Sequence, residues 1–229
     1  MPRRATLPIR PLLPLRHAVV AAVMALATLA SLVAAGPACA AADAPFQSAF
    51  QSFAQAQAGD KSAVDPAADA FETLLKAEPT NPVLMAYAGA STALKASATS
   101  LPWKKMNFAE DGLAQLDKAL AMLTPAHDAP IQRGTPGVLE VRFVAATTFL
   151  AVPPFMNRAE RGARLLAEVL ASPLFERAPL PFKGAVWMRA AALADKEQRK
   201  DDARRYFKEV IEHAAPQAEA ARAKLKEIA

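Results

Sequence analysis

Cysteine is nearly missing from this chain: Cys39 is the only one, so no internal disulfide can form and stability must come from core packing. Histidine is scarce as well. Only His127 and His213 follow residue 40, which excludes a histidine-cysteine metal site, and HExxH does not occur. The 8 glycines include no phosphate-cradling loop and no G-x-S-x-G elbow to present a serine nucleophile. The adjacent carboxylates Glu110-Asp111 and Asp201-Asp202 sit among lysines and arginines on polar helical faces. No acid, base and nucleophile set can be assembled from such motifs. A non-enzymatic protein without a cofactor or a metal is expected.

The positive charge is concentrated at the N-terminus. Arg3, Arg4, Arg10 and Arg16 precede an uncharged apolar run, Ala18 to Ala35, that ends in GPACA, where Ala38 and Ala40 form an A-x-A site. This pattern predicts an export signal over residues 1–40, cleaved after Ala40, and a mature domain over 41–229. The apolar run is also close to the length needed to span a bilayer, about 20 residues, but the cleavage site directly follows it. Arg3-Arg4 hints at twin-arginine export, and Cys39 is an alternative lipid anchor. An exported, periplasmic protein is the expectation.

Removing the four leader arginines from 27 basic residues leaves 23 against 22 acidic ones, so the formal charge falls from +5 to +1. No strong basic surface remains for a nucleic-acid partner.

Apolar residues in the mature chain recur at helical spacing. Phe46, Phe50 and Phe53 mark a first helix, and Ala67, Phe71, Leu74 and Leu75 a second, with Asp65 as N-cap and Pro66 in the first turn. A third runs from Val83 to about Lys95 and a fourth from about Phe108 to Leu123, separated by the interruption ATSLPWKKMNFAEDG. Thr124 to Gly137 is a proline- and glycine-punctuated connection. The β-branched stretch VLEVRFVAATTFLAV invites a strand assignment, but it lacks a strand partner and has helical flanks, so helix is preferred. A second interruption, PPFMNRAERG, leads to a helix ending near Ala171. The hairpin from Phe182 to His213 and an amphipathic helix from Pro216 to Ile228 complete the chain.

That hairpin resembles a tetratricopeptide repeat. Trp187 and Ala191 occupy the large and small places of the repeat's first helix; Ala203, Phe207 and Val210 match its second, and Pro216 stands near the exit. Ala67, Phe71 and Pro79 repeat the second-helix pattern, and Gly89 falls at the close-packing position. The anchoring residues Ala67, Gly112, Gly162 and Ala203 lie 45, 50 and 41 positions apart. That exceeds the family period of about 34 and is assigned to insertions. The resemblance implies an all-α, right-handed solenoid of about four helix hairpins plus a C-terminal capping helix. It also implies a protein-protein adaptor or scaffold of the cell envelope that holds a protein segment or a membrane complex. A receptor for a small anionic or apolar ligand, or a helper of envelope biogenesis, is the alternative.

Two sets of residues are candidates for binding. The interruptions place Trp103, Lys104, Lys105, Met106, Phe155, Met156 and Arg158 at equivalent turns, where they can form one edge. The competing structural role has Trp103 and Phe155 folding back to plug their hairpins. The second set is a groove marked by Tyr87, Arg142 and Arg189 on otherwise apolar first helices. Arg142 must reach water, a carboxylate or a ligand.

Overall fold

The computed structural model describes residues 38–228, in which nine α-helices and one very short antiparallel ribbon are found. The predicted leader lies outside the described residues up to Pro37. The helices are α1 (Ala38–Gln57), α2 (Val64–Ala77), α3 (Pro82–Ala98), α4 (Pro102–Ala121), α5 (Gly137–Ala151), α6 (Ala159–Ala171), α7 (Leu180–Lys196), α8 (Lys200–Glu212) and α9 (Ala218–Glu227). The chain is therefore all-α. No helix among the described residues is long and apolar enough to cross a membrane.

Two helices form the centre. Asn81 caps α3, its Oδ1 accepting the amides of Val83 at 3.0 Å and Leu84 at 3.3 Å, and Pro82 supplies a preset first turn. Every residue from Pro82 to Ser91 is then buried, so α3 has neighbours on all sides. The same holds for most of α5. The stretch that invites a strand assignment is thus a helix: packing around a fully apolar rod outweighs the small helix penalty of its valines and threonines.

The rings of Phe46 and Phe53 on α1 meet Phe71 of α2 and Tyr87 of α3 edge-on, and Phe71 stacks on Tyr87 at 4.8 Å. Next, α3 packs on α4, and both touch α5; α5 pairs with α6 and α7 with α8, while α9 lies on α8. The α3–α4 approach is very close. A Cβ on Gly112 would stand 2.5 Å from the Gly89 carbonyl oxygen and 2.6 Å from the Ala93 nitrogen. Only hydrogen fits between these backbones.

Two expected connections differ from the structure. The first interruption is helical: Pro102 begins α4, and Trp103 to Asn107 form its opening turns. The helix expected from about Phe108 starts at Pro102 instead, a position where proline's missing N–H has no intrahelical partner to lose. Longer helices thus account for part of the wide repeat spacing. The connection from Thr124 to Gly137 contains a 3-10 turn and a ribbon pairing β1 (Pro130–Gln132) with β2 (Thr135–Pro136). Arg133 and Gly134 turn the ribbon with φ of 52° and 71°, the left-handed pair that a tight hairpin demands.

Candidate functional site

A hollow beside α3 arises from small residues. Ala90, Ala93 and Ala96 on α3 leave unfilled space between the first turns of α4 and the last turn of α5. The result is a cleft of roughly 690 Å³. Its α4 wall carries Pro102, Lys105 and Met106, while Thr147, Thr148 and Ala151 of α5 continue into Pro153, Phe155 and Met156. Gln57 and Arg189 close it from α1 and α7. Residues from both interruptions therefore converge, about fifty positions apart in the chain.

The predicted edge residues divide. Lys105, Met106, Phe155 and Met156 line the cleft together. Phe155 is 64% exposed, Met106 37% and Trp103 62%, so neither aromatic ring plugs a hairpin. Trp103 lies three residues before Met106, hence on the same side of α4, and forms an apolar rim beyond the cleft lining with the exposed Lys104 beside it. Arg158 does not line this cleft, but it borders a smaller hollow together with Met106, Phe155 and Met156. It meets Asp117 of α4 at 3.0 Å, Arg161 joins the same carboxylate at 2.5 Å, and both guanidiniums lie over the Phe149 ring. These contacts tie α6 to α4 and give the half-buried Arg158 a carboxylate partner.

The predicted groove set is also corrected. Tyr87 is 4% exposed and belongs to the aromatic core, where its hydroxyl donates to Glu140 Oε1 at 2.8 Å. Arg142 takes the carboxylate outcome, pairing with Glu168 of α6 at 3.4 Å. Arg189 alone reaches the cleft. Burial lowers its pKa and no opposing contribution accompanies that shift.

Glu140 was not singled out from the sequence, although a carboxylate inside VLEVRF was visible. It is 2% exposed, and its second oxygen has no hydrogen-bond partner. Desolvation raises its pKa to about 7, opposed by the Tyr87 hydrogen bond and by the charge of Arg133. Arg133 itself stacks on Phe50 at 3.6 Å. Neither Glu140 nor Tyr87 lines the cleft; the pair belongs to the core.

The two histidines have local partners. His127 Nδ1 accepts the Thr124 amide at 2.9 Å in a capping turn, and His213 Nδ1 lies 2.9 Å from the Glu209 carbonyl oxygen at the end of α8. Among the described residues no three histidine, cysteine, aspartate or glutamate side chains gather as a metal site. Comparison with protein-family models, curated proteins and solved structures finds no match to this chain.

Proposed function

We propose that this protein is an exported, non-catalytic adaptor of the cell envelope that holds a segment of a partner protein. The observation that carries this reading is the rim of Trp103, Met106 and Phe155, large apolar side chains exposed to solvent beside Lys104 and Lys105. Leaving such surface in water is unfavourable, and aromatic residues ringed by polar ones are what partner hot spots use. The leader pattern of residues 1–40 supports export to the periplasm.

The scaffold is a tetratricopeptide-like right-handed solenoid of about four hairpins, with α9 as its cap. The succession of neighbours supports it: each of α3–α4, α5–α6 and α7–α8 is a packed pair, and α4 with α5 and α6 with α7 join successive pairs. Repeats of this kind bury a shared core and leave edges free for binding.

Photo-crosslinking from positions 103 and 155 in intact envelopes tests the reading. A discrete adduct at both positions, and none from the still more exposed Glu219 on α9, is expected. Adducts of equal yield at all three positions, or none at the rim, would remove the adaptor assignment.

A further inference from the structure

The cleft shares Met106 and Phe155 with the rim, but its charged lining gives it a chemistry of its own. Its charged lining residues are Lys105 and Arg189, and no carboxylate faces them. Arg142 and Arg158 each have a carboxylate, whereas Arg189 is half-buried with no ion pair among the described residues. A partly desolvated guanidinium without a counterion is costly, and a bound anion would relieve that cost.

The rest of the wall is mostly apolar: besides two threonines its polar side chains are the exposed Gln57 and Ser97, whose hydroxyl donates to the Leu94 carbonyl at 2.7 Å. Thr147 and Thr148 both donate to the Val144 carbonyl, at 2.9 and 3.0 Å, so their protons are already used. The helical backbones are hydrogen-bonded within themselves. A peptide threaded here would therefore surrender water from its amides and find few replacements, whereas a hydrocarbon tail has none to satisfy. Alanines along α3 provide a smooth floor, and the flexible side chains of Met106 and Met156 adapt to what lies between them. The volume suits a small ligand.

We propose that the cleft binds a carboxylate bearing a single unbranched hydrocarbon tail, with its head on Arg189, its tail along the alanine floor of α3, and Lys105 at the lip attracting it from solvent.

Calorimetric titration of the full chain with hexanoate, octanoate, decanoate and decyltrimethylammonium tests this. The carboxylates should bind with Kd falling about fourfold for each added methylene, and the matched cation should not bind. Arg189→Gln should weaken decanoate tenfold or more. Lys105→Gln should weaken it less, through a loss that added salt abolishes. Ala151→Phe, on an exposed part of the wall, should block the tail and keeps the test decisive if Arg189→Gln fails to fold. The proposal is overturned if decyltrimethylammonium binds as tightly as decanoate, if a neutral capped apolar peptide competes equally, or if a folded Arg189→Gln or Ala151→Phe variant retains full affinity. Loss of ligand binding with rim crosslinks intact would remove this inference alone.

Discussion

The hydroxyl of Tyr87 on α3 donates a 2.8 Å hydrogen bond to the carboxylate of Glu140 on α5, joining the two central helices through a polar contact inside an aromatic and aliphatic core. A charge at this depth works against folding, because one carboxylate oxygen is shut off from solvent and has no protein hydrogen-bond partner.

Stability should therefore fall as pH rises. Glu140 has a folded pKa of about 7, above its ordinary 4.5, so the native state binds this proton more tightly than the unfolded chain. The contribution is fully present below about pH 4.5 and is lost between there and pH 7, to a total of order 3 kcal/mol. Glu140→Gln keeps an acceptor for Tyr87 and removes the charge. Chemical denaturation at several pH values should show the wild type losing stability across that window relative to the variant, which should be the more stable protein above pH 7.

Gly112→Ala should loosen the α3–α4 pair. The added methyl would stand 2.5 Å from a backbone oxygen and 2.6 Å from a backbone nitrogen, neither of which can rotate aside. A cost of about 1–3 kcal/mol is expected in denaturant unfolding, with a lower thermal midpoint.

Trp103→Ala combined with Phe155→Ala should leave the thermal midpoint nearly unchanged, since both rings are mostly in solvent. The same double variant should no longer co-purify with the partner that photo-crosslinking identifies in the wild type. A large drop in midpoint would instead assign the rings to the core.

Asp117→Asn should weaken the tie between α4 and α6 by about 1 kcal/mol, because this ion-pair cluster is partly solvated. Removing the carboxylate leaves Arg158 and Arg161 close together over the same ring. The destabilisation should shrink in high salt, where screening weakens both the lost attraction and the new repulsion; paired melts at low and high salt would read it.

The helices were legible because their signals are local. Phe46, Phe50 and Phe53, or Ala203, Phe207 and Val210, declare a buried face within a few turns, and Asn81-Pro82 declares a start. The errors came where one local signal has two meanings. Pro102 lies in an expected interruption and opens a helix, while Arg133-Gly134 turns a small ribbon in a segment expected to be irregular. The candidate site was legible only as residue types. Trp103, Met106, Phe155 and Met156 could be named, but not which cations would stay free.

By itself the amino-acid order determined an all-α chain and the approximate extent of most helices, since periodicity and capping act over a few residues. Only tertiary packing decided that Arg158 and Arg142 would find carboxylates while Arg189 would not, that Tyr87 would lie in the core against Glu140, and that two segments fifty residues apart would border one cleft. Those outcomes depend on which faces meet, and burial of a charge or the hollow left by three alanines exists only once neighbouring helices are in place.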